Sequence, residues 1–435
     1  MPADLAVVGL GHAGLPIARA AAARGIHVIG HDTDRATVDE LNSGRAPSGV
    51  LDRAEVRRML AGGFRATTDP AVLGKVRTVV ICVPTPPGED RVLDLGRLEA
   101  AARTLAAHLS PRTTVVLESP VYPGTTEEFL RPLLETSGLR CGSGFHLAYS
   151  PSRVDPGNRR YDVANTPKVI GGATPACTEA AAAAYGRFVE KVVRARGTRE
   201  AETVTLLENN FRHVNIALVN EMAVLCHDIG VDLWDVVRCA ETKPFGFQSF
   251  RPGPGVGGHG VAVDPDYLAP RVRTLGHPLR MVGVAQEVNE RMPRYVVQRS
   301  AALLNEDGKS VRGARILLLG VTYKADHPDR HRSPAVDVGT RLAELGAHLS
   351  YHDPHVPQWH LRGQPVPRGP PPRPPRPRPE PHTPSAPRPH HLRTTRPSTS
   401  WTPAPSTSTD PGEFSHEQPP AAALQQGARV DLRRR

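Results

Sequence analysis

The feature that most restricts this chain lies in its first 32 residues. Leu5–Val8 is a short apolar run. It is followed by Gly9-Leu10-Gly11-His12-Ala13-Gly14, an Ala-rich helical stretch to Arg24, and a second apolar run, Ile26–Gly30, ending in His31-Asp32. A strand, a GxGxxG turn, a helix and a second strand ending in an acidic residue make a dinucleotide-binding βαβ unit. Gly9 permits the tight turn, Gly11 lets the backbone approach a pyrophosphate, and Gly14 lets helix and strand pack closely. The helix N-terminus stabilises the phosphate charge. Asp32, 18 residues after Gly14, is placed for a ribose 2′-hydroxyl. A carboxylate there repels a 2′-phosphate, so NAD is expected rather than NADP.

The pattern continues. Val76–Val83 and Thr114–Leu117 read as strands, with a helix over Leu93–Leu109 between them, which implies a parallel sheet covered by helices on both faces. Val83-Pro84-Thr85-Pro86 and Pro123-Gly124-Thr125-Thr126 each follow a strand. Both loops either line the nicotinamide side of the cofactor or are structural turns. Ala201–Ile229 differs: apolar residues recur at Val204, Leu207, Phe211, Val214, Leu218 and Ala223, a helical period without Pro or Gly. It is expected to link two lobes and to offer a dimer surface. Ala314 begins a second strand–helix–strand unit, Ile316–Leu319, Pro334–Leu345 and His348–His352.

Composition matters at the C-terminus. Residues 361–435 hold 12 Arg, no Lys, 5 acidic residues and 19 of the 45 prolines. Such a segment buries too little apolar surface to offset its chain entropy, so residues 358–435 are expected to be disordered. The formal charge of +10 belongs mainly to this tail, and no nucleic-acid partner is expected. No run of 18 apolar residues exists, so no membrane helix is expected. The N-terminus lacks a basic leader, and the five cysteines are widely spaced without CxxC. A reduced, cytoplasmic protein without a metal site is the expectation.

The most informative stretch runs from Lys243 to Tyr267. Six glycines between 246 and 260 make a loop whose backbone can approach a ligand, bracketed by His259 and Asp264. Here the chain resembles the UDP-glucose/GDP-mannose dehydrogenase family, most of all the branch acting on UDP-N-acetylhexosamines. VVGLGHAGLP, CVPTP, YPGTT, AYSPSRVDPGN, PKVIGG, LLENNFRHVNIALVNE, NERMP, LGVTYK and SYHDP carry the resemblance in the family's order, over residues 5–357.

The resemblance implies an α/β chain with an N-terminal NAD-binding Rossmann domain (1–200) and a central helical dimerisation domain (201–298) containing the substrate loop 243–267. A truncated C-terminal Rossmann-like domain (311–357) and the disordered tail (358–435) complete it. It implies NAD bound by Gly9, Gly11, Gly14, Asp32, Pro84 and Thr85. It further implies a nucleotide sugar, a UDP-sugar by preference, held by Arg212, Asn215, Phe250, Gly255, Gly257, Gly258 and Lys324, in a homodimer. The family oxidises the sugar's C6 alcohol to a carboxylate through a cysteine thioester.

The chain departs from that pattern at the chemistry. The family's nucleophilic cysteine is Gly260, its hydrolytic glutamate Ser152, its oxyanion lysine Thr205, and its water-holding threonine Pro120. Asn209 and Asp264 survive. Glycine offers no nucleophile, so the covalent route is closed at that position. Two readings stay open. One is a two-electron alcohol/carbonyl oxidoreductase with Asp264 as base, Asn209 on the forming oxygen and His259 as secondary candidate. The other is a non-catalytic homologue, binding, regulatory or decayed, with the tail looking like a reading-frame change in GC-rich DNA.

Overall fold

The structure, a computed structural model, describes residues 3–45, 50–86, 88, 93–155, 157–158, 160–258, 279–371 and 429–431. One compact unit comprises residues 1–369 with 423–435; of the other, 370–422, only 370 and 371 are described.

The first unit begins with an eight-stranded sheet. Its strands are β1 (Leu5–Val8), β2 (Val28–His31), β3 (Arg65–Thr67), β4 (Thr78–Ile81), β5 (Thr114–Leu117), β6 (His146–Tyr149), β7 (Lys168–Gly172) and β8 (Val192–Arg194), in the order β3-β2-β1-β4-β5-β6-β7-β8. All neighbours are parallel except β6 and β7. Helices α1 (Gly14–Ala23), α2 (Arg35–Asn42), α3 (Arg53–Ala61), α4 (Gly96–His108), α5 (Arg131–Glu135) and α6 (Pro175–Tyr185) accompany it. Every residue of β1, β4 and β5 is buried, as their unbroken apolar runs require of strands covered on both faces. Val7, Leu15, Ile17, Phe64 and Tyr185 pack one face; Ala6, Val8, Leu98, Leu105 and Phe145 pack the other. Strand order reverses between β1 and β4, which opens a crevice at their carboxyl ends, where such sheets bind ligands.

Helix α7 (Thr198–Asp228) has 31 residues, about 46 Å of helix. It is followed by α8 (Leu233–Ala240) and packs against α9 (Arg280–Glu306). A separate core lies beyond. There β9 (Arg315–Leu319) pairs in parallel with β10 (His348–His352), covered by α10 (Pro334–Glu344).

The expectation that order ends at residue 357 is corrected here. β11 (Trp359–Leu361) and β12 (Gln364–Val366) form an antiparallel hairpin. Trp359 is 2% exposed and meets Tyr351 edge-on at 5.6 Å between ring centroids. Arg362 and Gly363, at φ 48° and 78°, supply the two positive-φ residues that a tight hairpin turn demands. The segment continues beside β10, with Tyr351 N–H donating to Pro367 O at 3.0 Å and Gly369 N–H to Tyr351 O at 2.7 Å. Alternation of buried Trp359 and Leu361 around exposed His360 is a strand signal that the Pro/Arg-rich surroundings obscure. Within the same expected tail, β13 (Arg429–Asp431) pairs antiparallel with β9.

Candidate cofactor and substrate site

The crevice begins at Gly9, at φ 94°, whose N–H donates to His31 O at 2.9 Å. A Cβ on Gly9 would lie 2.8 Å from Cys82 O, and one on Gly14 only 2.0 Å from Gly9 O. Both glycines are therefore required by packing. Gly11 differs: a Cβ there meets nothing within 4 Å, so its missing side chain leaves open space for a ligand. Helix α1 starts at Gly14 with no side-chain cap and no acidic residue in its first turn. Leu15 N–H is taken by Gly11 O at 3.1 Å and Pro16 has no N–H, so what the helix start offers an anion is its unneutralised dipole. Asp32 stands at the rim, one carboxylate oxygen accepting from Leu10 N–H at 2.8 Å and the other from Asp34 N–H at 3.0 Å. These residues fit a dinucleotide whose pyrophosphate lies over Gly11 and α1.

The neighbouring loops are tied to one another. Buried Thr85 donates its hydroxyl to Pro120 O at 2.6 Å, joining the loops after β4 and β5. Beneath them Glu118, fully buried, accepts from Lys168 Nζ at 2.6 Å and from the Tyr185 hydroxyl. Lys168 Nζ also donates to Pro151 O at 3.0 Å, which fixes the backbone beside Ser152. Burial here pushes the Tyr185 hydroxyl and the Cys82 thiol up. From α7, buried Glu202 accepts from Gly124 N–H at 2.6 Å, Thr126 N–H at 2.8 Å and the Thr126 hydroxyl at 2.7 Å. Burial raises its carboxyl even against these three donors. Thr205 and Asn209, one turn apart on the same helix, share a face. Both are half-buried, and Thr205 Oγ1 has no hydrogen-bond partner among the described residues. Arg153 donates to Pro167 O at 2.8 Å and pairs with Glu208.

The glycine-rich loop is held from two sides. Gly253 N–H donates to Asn220 Oδ1 at 2.8 Å, and Asn220 Nδ2 donates to Asn289 Oδ1 at 2.9 Å, between α7 and α9. Phe250 stacks edge-on with Phe211 at 5.9 Å. A Cβ on Gly257 would lie 2.6 Å from Arg332 O, and one on Gly258 2.8 Å from the Tyr323 ring; Gly258 N–H donates to His331 O at 3.0 Å. Gly255, at φ 132°, lies against Asn289 and Pro334. The glycines thus admit contact with residues 323–334 of the chain itself, a role their number alone did not reveal. Lys324 Nζ pairs with Asp155. The Tyr323 hydroxyl is pushed up to about 12, first by burial, then by Asp329 and Asp155, with Arg212 opposing. Arg212, Phe250, the loop glycines and Lys324 are therefore linked through residues 323–334 and α7. Asn215 turns back to its own helix, donating to Phe211 O at 2.7 Å. His259, Gly260 and Asp264 lie outside the described residues.

Sequence reasoning missed Glu118, Lys168, Glu202, Asn220 and Asn289 as positioning residues. A lysine opening the apolar strand KVIGG is the signal that points to a buried partner; Asn220 lies opposite the apolar stripe of Phe211 and Leu218, on the side that the sequence pattern reads as exposed. No helix among the described residues is long and apolar enough to cross a membrane.

Comparison with known proteins agrees along the chain. Residues 3–189 match the NAD binding domain of the UDP-glucose/GDP-mannose dehydrogenase family, 199–291 its central domain and 317–369 its UDP binding domain. The chain is 35% identical over 354 residues to UDP-N-acetyl-D-glucosamine 6-dehydrogenase of Pseudomonas aeruginosa, covering 81% of this chain and 83% of that protein. It is 35% identical over 355 residues to UDP-N-acetyl-D-mannosamine dehydrogenase of Escherichia coli K12, covering 79% and 83%. Among solved structures, the UDP-D-ManNAc dehydrogenase of Pyrococcus horikoshii superposes with a TM-score of 0.75 at 32% identity, over 81% of this chain and 84% of that one.

Proposed function

Since the chain belongs to the UDP-glucose/GDP-mannose dehydrogenase family, with its NAD-binding domain, we propose that it performs one two-electron oxidoreduction on a nucleotide sugar. A UDP-sugar is the proposed class, in keeping with the UDP binding domain match and the names of the relatives. The observation that carries this reading is a contrast within the sequence. Gly9, Gly11, Gly14 and Asp32 are kept, whereas Gly260 stands at the position of the family's nucleophilic cysteine. Ser152, Thr205 and Pro120 likewise replace the groups that would serve a thioester.

Bound NAD supplies the acceptor for one hydride. Gly11 and the start of α1 hold its pyrophosphate, and Asp32 its ribose hydroxyls, with Pro84 and Thr85 on the nicotinamide side. Arg212, Asn215, Phe250, Lys324 and the loop of Gly255, Gly257 and Gly258 hold the nucleotide sugar. Asp264 takes the proton of the reacting hydroxyl, directly or through one water, with His259 as the alternative base. Asn209 donates to the oxygen as it becomes a carbonyl. The alcohol loses a hydride and a proton, and nothing on this chain's residue 260 can capture the product.

NADH formation is the test, with purified protein, NAD and a panel of UDP- and GDP-sugars, and with product masses recorded. A product about two mass units lighter than the sugar nucleotide, with one NADH each, is expected. Gly260→Cys is expected to leave that outcome unchanged, because three other groups of the thioester apparatus are also replaced. A uronic acid with two NADH per sugar overturns the reading. NAD binding without any NADH replaces it with a non-catalytic homologue.

The cytoplasm is the proposed compartment, all five cysteines being free thiols. A homodimer is proposed through α7. Leu207, Phe211, Leu218 and Leu225 are each about half exposed or more, and their spacings of four, seven and seven residues align them in one stripe. Leu218→Lys is expected to convert a dimer into a monomer in sedimentation velocity. A wild-type monomer at micromolar concentration sinks the proposal.

A further inference from the structure

We propose that Cys141 and Cys177 are an oxidisable thiol pair, which a peroxide-class oxidant converts into a disulfide joining the α5–β6 connection to the start of α6. The two sulfurs lie 4.0 Å apart, 36 residues apart in sequence. That is van der Waals contact, and a disulfide needs about 2.05 Å. Two local devices produce the contact. Thr174 caps α6 and accepts from Cys177 N–H at 3.2 Å, and its hydroxyl donates to Cys177 Sγ at 3.1 Å. Gly142, at φ 89°, lies where a Cβ would be 3.2 Å from Thr174 Cγ2, so the turn carrying Cys141 closes onto the same cap. Cys141 N–H is fixed by Glu135 Oε1 at 3.1 Å.

The surroundings also suit the chemistry. The Cys177 thiol is held well below the ordinary thiol range, chiefly by the hydrogen bond from the Cys141 thiol, with Thr174, the Leu147 backbone and His146 adding to it against burial. The Cys141 thiol is pushed up, as the donor of that bond and by burial, with Arg131 opposing and Glu135 reinforcing. Cys141 is half-buried and Cys177 buried, so peroxide reaches the Cys177 thiolate past Cys141. As the Cys177 thiolate attacks, its S–O bond forms and the O–O bond breaks. The leaving hydroxide takes the Cys141 thiol proton and becomes water. Cys141 thiolate then attacks the sulfenic sulfur of Cys177; the S–S bond forms, the S–O bond breaks, and a second hydroxide leaves to be protonated by solvent. Two electrons pass from the sulfurs to the peroxide.

The place of the pair decides the effect. β6 runs parallel to β5, so its beginning lies at the end of the sheet opposite the cofactor loops, and β7, antiparallel to β6, returns to that same end. Oxidation is therefore expected to stabilise that end of the sheet and leave NAD binding unchanged.

The full-length protein is to be treated with hydrogen peroxide, quenched with catalase, alkylated under denaturing conditions and mapped by mass spectrometry. The expected product is about 2 Da lighter before alkylation. It alkylates at two fewer of its five cysteines and yields a Cys141–Cys177 peptide that dithiothreitol separates. Its thermal midpoint is expected to rise by roughly 5 °C. In Cys141→Ser, Cys177 is expected to stop at sulfenic or higher acids. Should that variant fail to fold, the wild-type peptide map still decides. Both cysteines still alkylated after peroxide, Cys177 carrying oxygen while Cys141 stays free, or a disulfide joining any other pair overturns the proposal.

Discussion

Lys168→Met is expected to lower the unfolding free energy by about 3–5 kcal/mol at neutral pH, because it leaves a buried carboxylate without its cation. Glu118 is fully buried and the Lys168 side chain is 5% exposed, with Nζ 2.6 Å from the carboxylate. The Tyr185 hydroxyl bonds the other oxygen of Glu118 but brings no charge. The double variant Glu118→Gln/Lys168→Met is expected to lose less than Lys168→Met alone, since no uncompensated charge remains. Urea midpoints of the three proteins at constant slope measure this. A loss below about 1 kcal/mol in Lys168→Met would mean that water reaches the pair, as at an exposed ion pair.

The second large effect separates two glycines of one motif. Gly11→Ala is expected to leave the thermal midpoint of the apoprotein unchanged, because its Cβ meets no atom within 4 Å. It is expected to raise the NAD dissociation constant on the order of 100-fold, because that open space is where the pyrophosphate must approach. Gly14→Ala places its Cβ 2.0 Å from Gly9 O. No rotamer relieves a backbone clash, so α1 must shift from β1, and both stability and NAD binding are expected to fall. Calorimetric titration with NAD, beside thermal unfolding of each variant, reads the two effects. Unaltered affinity in Gly11→Ala would show that the pyrophosphate does not cross that residue.

Much of the fold was legible because its signals act over short distances. The strand–glycine–helix–strand unit was readable residue by residue, down to Asp32. The long helix was readable from its period, and it is found over Thr198–Asp228. Its face was not. Leu207, Phe211 and Leu218, counted among the periodic apolar residues, are exposed, while Glu202, His213 and Asn220 are buried. A period marks a helix, but what covers each side depends on neighbours elsewhere in the chain. The hairpin at 359–366 was hidden for a related reason. Composition is averaged over a window, whereas Trp359 and Leu361 need only one pocket each.

The sequence by itself determined the βαβ unit and the dinucleotide class. Those rest on which side chain stands at one position, or on backbone sterics within a few residues. Only the tertiary structure decided that Lys168 meets Glu118, that Asn220 holds Gly253, and that Cys177 lies against Cys141. Each pairing spans more than thirty residues and follows from which strands and helices are adjacent. Buried polar groups must find partners, and no local rule specifies which ones, because the choice is made when the sheet order and the helix packing are complete.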